Sequence, residues 1–147
     1  MEADGAGEKL IEAGVLQTQA GVPIEEKLKS IAADTGAAIE RFRPDIVAVE
    51  ELYSHYRHPK TAILMGHARG VILQRCAEAH IKIRSFSATR IKKSITGNGR
   101  ASKRQVQKTI QTILGLEQLP EPSDVADAIA VAICCANTVR VSTLQGL

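Results

Sequence analysis

Tryptophan is absent from this 147-residue chain, and its aromatic residues number only four: Phe42, Tyr53, Tyr56 and Phe86. A core built from so few rings must be aliphatic, and an aromatic side chain near a charged cluster becomes more noticeable. No stretch approaches the run of about 18 uninterrupted apolar residues that reads as a membrane span. The N-terminus is acidic and glycine-rich, unlike a secretory signal. Together these point to a cytoplasmic protein with no membrane partner. Cys76, Cys134 and Cys135 are odd in number and lack metal-ligand spacing. They read as small buried hydrophobes in a reducing compartment, which excludes a zinc framework. Gly97-Asn98-Gly99 lacks both the preceding strand and the Gly-Lys-Ser/Thr ending of a phosphate-binding loop, and no dinucleotide fingerprint occurs. Nothing marks a serine or cysteine nucleophile.

Acidic residues are missing from one long segment. Between Ala79 and Leu116 there is no Asp or Glu, while Lys82, Arg84, Arg90, Lys92, Lys93, Arg100, Lys103, Arg104 and Lys108 all fall there. The overall charge is only +3, so distribution matters more than total. One-sign clustering interleaved with Ile81, Ile83, Phe86, Ile91 and Ile95 suggests a folded surface that meets a polyanion. A solvated helix face is the plainer alternative.

The length predicts a single domain over residues 1–147, burying about two-thirds of its unfolded surface. Asp4-Gly5 and Gly7 are turn residues, and Leu10 to Thr18 alternates as a strand with Gly14 as a possible bulge. That reading starts the chain inside a hairpin turn, with the partner strand absent. Pro23 opens a helix running to Arg43. Ile46 to Val49 is a short, mostly β-branched run that reads as a strand buried on both faces. A second helix starts at Pro59, and Gly66 and Gly70 within it suggest close packing. Ile81 to Phe86 forms a strand with one wet face, and helices follow over Ser87 to Ile95, Ala101 to Leu116, and from Ser123 or Asp124 onward. The Ala101 helix is expected to turn Val106, Ile110, Ile113 and Leu114 inward. The last helix is apolar all round from Ala126 to Ala136 and must be largely buried. Alternating strands and helices predict an α/β fold with helices on both faces of the sheet.

Three carboxylates stand out in this frame. Glu50 lies where the apolar run ends, and ligands in open α/β sheets gather beyond such strand ends. Glu50 and Glu51 would otherwise simply mark the strand's exit into water. Asp124 and Asp127, three residues apart at a helix start, point to one side of it. N-capping explains one Asp there. Asp127 sits inside an apolar stretch, where an unpaired carboxylate is costly to bury, so it must reach a cleft or meet a cation. If Glu50, Asp124 and Asp127 converge, a hard divalent cation such as Mg²⁺ would relieve their repulsion. A carboxylate cluster beside a basic surface fits metal-assisted phosphodiester hydrolysis.

Four segments carry a family resemblance. They are Pro44 to Tyr53, Gly66-His67-Ala68-Arg69-Gly70-Val71, Ala88 to Gln107 with Thr96-Gly97-Asn98-Gly99-Arg100-Ala101 at its centre, and Asp124-Val125-Ala126-Asp127-Ala128-Ile129-Ala130. In content and order they resemble the bacterial RuvC crossover junction endodeoxyribonucleases over nearly the whole chain. The resemblance implies a ribonuclease H-like fold with a mixed sheet. It also implies a homodimer and Mg²⁺-dependent symmetrical nicking of four-way Holliday junctions in recombination and repair, with two ions per active site. Whether a branch-migration complex docks is left open. Glu50, Asp124 and Asp127 fall on the family's catalytic and metal-binding acids. Tyr53 falls where an aromatic stacks on a base, a role its π-face can fill. Lys92 and Lys103 match basic residues near the scissile phosphate, and Arg69 matches the arginine of a Gly-x-Ala-Arg-Gly motif. Arg90, Lys93 and Arg104 complete the expected DNA-binding set.

Two departures qualify the match. His67 replaces a usual Gln. The family's opening strand, ending in Asp-Pro-Gly, has no counterpart here, so the fold is expected without its first two strands and the chain without the first catalytic Asp. On that expectation the chain is inactive or nearly so, and a junction-binding or dimerisation fragment is the alternative. A related nuclease acting on other DNA is a further one.

Overall fold

The computed structural model describes residues 1–4, 7–52 and 59–144, apart from the side chains of Asp4 and Leu144. In chain order the elements are β1 (Glu2–Asp4), β2 (Gly7–Lys9), α1 (Ile24–Phe42), β3 (Ile46–Glu50), α2 (Pro59–Glu78), β4 (Lys82–Phe86), α3 (Ala88–Thr96), α4 (Lys103–Leu114) and α5 (Ser123–Leu144). They group into two compact units. One comprises Met1–Val15, Ala48–Glu50 and Ser85–Leu147, the other Leu16–Val47 and Glu51–Arg84.

The first unit is built around α5. Ala126, Ile129, Ala130, Val131, Ile133, Cys134 and Cys135 are all buried, and α5 packs on both α3 and α4. Those helices present Ile91, Ile95, Val106 and Ile110 to the same core, joined by Phe86 at the end of β4. By length and composition α5 could cross a membrane. Its stretch from Ala126 to Ala136 is largely buried, as expected of a segment apolar all round, while Val141 further along is 51% exposed. Local chemistry sets the boundaries. Ser87 caps α3 by accepting from the Arg90 N–H, and Gly97 ends it in the left-handed conformation at φ 76°. Ser102 and Gln105 form a reciprocal capping box at the start of α4.

Two expectations change at the N-terminus. The structure has a hairpin, with Glu2 opposite Lys9 and Asp4 opposite Gly7, so a partner strand is present. The strand expected over Leu10 to Thr18 does not form, and Ile11, Val15 and Leu16 are left substantially exposed. The pairing with β1 runs from Asp4↔Gly7 to Glu2↔Lys9, and among the described residues no strand pairs with Leu10 to Thr18. The hairpin is tied to α5 by Arg140, whose Nη2 lies 2.6 Å from Glu8 Oε1.

In the second unit α1 packs against α2. The Arg75 guanidinium of α2 lies over Gly36 of α1, where an added Cβ would come 2.7 Å from its Nη2. The expected packing role of Gly66 and Gly70 is not seen. Among the described residues nothing lies within 4 Å of a Cβ added at Gly70, and one added at Gly66 meets Leu52 alone, at 3.9 Å. β3 and β4 pair as a two-stranded sheet, and both strands run from one unit into the other. Ile46 to Val49 are half-buried rather than enclosed, because among the described residues β4 is the one strand beside β3.

Ile110 is fully buried, whereas Ile113, on the same stripe of α4 and expected inward, is 41% exposed in the last turn. Ile110→Ala should therefore cost about 2–5 kcal/mol in urea unfolding. Ile113→Ala should cost clearly less, and equal losses would show that the stripe is buried to its end.

Candidate active site

Glu50 is the last residue of β3, and Asp127 stands one turn into α5. The strand delivers Glu50 to its end for the reason the sequence suggested: the apolar run stops there and the next residue is charged. Ala126 before it and Ile129 two residues after it are buried, while the Asp127 carboxylate stays half-exposed. The cost of burying a lone carboxylate is avoided twice over. The group reaches water, and it meets Lys103 of α4, with Nζ 3.8 Å from Oδ2.

Glu50 feels this arrangement. Although the residue is exposed, partial loss of water raises its carboxyl above the ordinary 4.5. The Asp127 carboxylate raises it further, while Lys92 and Lys103 oppose both. Two acids and two lysines drawn from β3, α3, α4 and α5 thus share one electrostatic site. Asp124 is exposed at the start of α5, with Ser123 Oγ 3.4 Å from its Oδ1. It is not among the groups acting on Glu50. No three metal-capable side chains gather among the described residues. Of the two aspartates expected to converge with Glu50, Asp127 is the one whose charge acts on it. Paired carboxylates are hard oxygen donors, which suits a Mg²⁺ ion that keeps water or phosphate as its remaining ligands.

The other expected residues have varied settings. Lys93 and Arg104 are exposed and Lys92 is half-buried. Arg90 is engaged at the α3–α5 seam, its guanidinium 5.1 Å over the Phe86 ring and Nη2 3.4 Å from Thr138 Oγ1. Arg69 is half-buried on α2, in the second unit. Tyr53 lies outside the described residues. The α3–α4 connection also makes a concavity that sequence reading passed over. Lys108 had counted only towards the basic total. The missing signal was the orientation of Asn98 and Gln105, which depends on hydrogen bonds formed only once the loop has folded.

A raised carboxyl has a definite linkage sign. Glu50 contributes stability that is fully present below 4.5 and is lost as pH rises through its raised value. NMR titration without divalent cations should find Glu50 above 4.5. Asp127→Asn should lower its midpoint by removing a negative neighbour, and Lys103→Gln should raise it by removing a positive one. Indifference to Asp127→Asn would refute the pairing.

Comparison with known proteins identifies the family and the fold. The family model described as Crossover junction endodeoxyribonuclease RuvC matches residues 1–135. A protein of that description from Rhodopirellula baltica is 44% identical over 125 residues, covering 85% of this chain and 70% of the relative. One from Chloroflexus aggregans is 42% identical over 145 residues, covering 99% and 87%. Among solved structures, Thermus thermophilus RuvC superposes with a TM-score of 0.86 at 34% identity, covering 97% of this chain and 86% of that one. Thermus thermophilus RuvC in complex with Holliday junction substrate gives 0.88 at 32% identity with the same coverage. The likeness bears out the expected α/β, ribonuclease H-like class. By sequence and by structure, this chain belongs to the RuvC family of crossover junction endodeoxyribonucleases.

Proposed function

We propose that the chain is a junction-resolving endonuclease, which hydrolyses phosphodiester bonds symmetrically in four-way DNA during recombination and repair. The observation that carries this reading is the Glu50–Asp127 pair with Lys92 and Lys103 around it, in a chain of this family. Two Mg²⁺ ions per site are proposed, with Glu50, Asp124 and Asp127 as the acids that would hold them. When bound, they would supply an activated water and stabilise the leaving oxygen. The chain's own part is electrostatic. Lys92 and Lys103 offset the repulsion between the carboxylates and an incoming phosphate. Lys93, Arg104, Arg69 and Arg90 hold the DNA backbone, and Tyr53 stacks on a base. Phosphate contacts position the substrate without reading its sequence. We read residues 1–147 as one nuclease domain, since β3 and β4 each pass through both units.

A homodimer would present two such sites to a two-fold junction. On α2, Ile63, Leu64 and Met65 are 60%, 51% and 41% exposed, an apolar patch that a second copy would cover. A cytoplasmic setting is proposed with it, because the stretch of α5 from Ala126 to Ala136 is largely buried. Docking of a branch-migration complex would add a partner outside this surface. A second reading, junction binding without cleavage, is favoured by one observation: Asp124 is not gathered with Glu50 and Asp127 among the described residues.

A synthetic four-way junction with Mg²⁺ distinguishes the two readings. The first reading requires paired symmetrical nicks, with Glu50→Gln abolishing them and leaving junction affinity unchanged. Binding without nicks by the unaltered chain would establish the second reading. In sedimentation, Leu64→Glu should convert dimer to monomer, and an undisturbed dimer would place the interface elsewhere.

A further inference from the structure

The connection between α3 and α4 and the first turns of α4 enclose a concavity of about 290 Å³, lined by Thr96, Asn98, Ala101, Gln105, Lys108 and Thr109. No acidic residue lines it, and the sequence has none from Ala79 to Leu116. Its polar groups are unusually one-sided. The Asn98 side-chain oxygen accepts from the Arg100 N–H at 2.9 Å, and the Gln105 side-chain oxygen accepts from the Ser102 N–H at 2.7 Å. A backbone N–H can only donate, so each bond fixes which end of the carboxamide is oxygen. Each carboxamide oxygen is turned to a backbone N–H, and among the described residues neither NH₂ group has a hydrogen-bond partner, so both remain as donors. The two threonine hydroxyls are already donating to backbone carbonyls: Thr96 to Lys92 and Asn98, Thr109 to Gln105. Lys108 adds an exposed ammonium with no acid lining the concavity to neutralise it.

The walls of this concavity are held in shape. Gly97 takes a left-handed turn. An added Cβ at Gly99 would meet Thr89 Cγ2 at 2.8 Å and the Thr89 carbonyl oxygen at 3.2 Å, so the loop lies directly on α3. The capping box fixes the other wall. Donors set in place before a ligand arrives bind it with less ordering cost.

We infer that Asn98, Gln105 and Lys108 form a second phosphate-binding subsite, separate from the Glu50–Asp127 site. Lys103 and Lys108 are five residues apart, about 140° around the axis of α4, so they leave the helix on different sides. The chemistry specified is a phosphate group: two neutral N–H donors and one cation, with no competing carboxylate. Resting on the nuclease reading above, the source is a backbone phosphate of a junction arm, away from the scissile bond. Free phosphate has the same chemistry and is separated from DNA by experiment.

Inorganic phosphate titrated into the full chain should shift the side-chain amide resonances of Asn98 and Gln105. The shifts should persist in Lys108→Arg and weaken severalfold in Lys108→Gln. Absence of shifts, or equal shifts in Lys108→Gln, would overturn the subsite. In parallel, junction binding measured across salt concentrations should lose about 0.9 from its log–log slope in Lys108→Gln and little in Lys108→Arg. A phosphate response with an unchanged slope would overturn the DNA assignment in favour of a free anion. A phosphate response from a chain that binds no junction would support the subsite while counting against the nuclease reading.

Discussion

Burial of α5 is the constraint on which the first unit depends. A helix apolar on every side gains stability only when other elements enclose it, and α3 and α4 do so here. That enclosure puts Asp127, a charged residue between buried Ala126 and Ile129, at the rim of the packed core. It also brings the start of α4, with Lys103, against the same rim. Packing therefore assembles the charges, and it also takes water from Glu50, which is the main reason its carboxyl is raised; Asp127 adds to that rise while Lys92 and Lys103 oppose it.

The basic stretch divides by use once folded. Arg90 is occupied at a helix seam and Lys103 at a carboxylate, while Lys92 acts on Glu50. Lys93, Arg104 and Lys108 stay open to solvent. A uniform positive segment thus becomes a surface with distinct stations. This arrangement suits a long polyanion better than a small ligand, because phosphates along a duplex present charge at intervals.

Much of the element order was legible in the sequence because its signals are local. Pro23 and Pro59 mark helix starts, and the β-branched run at Ile46 marks a strand. The failures were all non-local. The strand expected over Leu10 to Thr18 had the right alternation, but a strand needs a partner in register, and the hairpin supplies one only as far as Lys9. Gly66 and Gly70 looked like a packing motif, yet Gly36 is the glycine over which a side chain of another helix lies. Spacing shows which residues share a face but not what that face meets.

By itself the sequence determined the identity of the acids and bases, their confinement to particular elements, and the buried character of the last helix. Those follow from residue chemistry and periodicity. Only the tertiary structure decided that Asp127, rather than Asp124, is the aspartate acting on Glu50. It also decided that Asn98 and Gln105 keep their donors free and that Lys103 and Lys108 serve different sides of one helix. Electrostatic coupling falls with distance and hydrogen bonds need direction, and neither distance nor direction exists until the chain has folded.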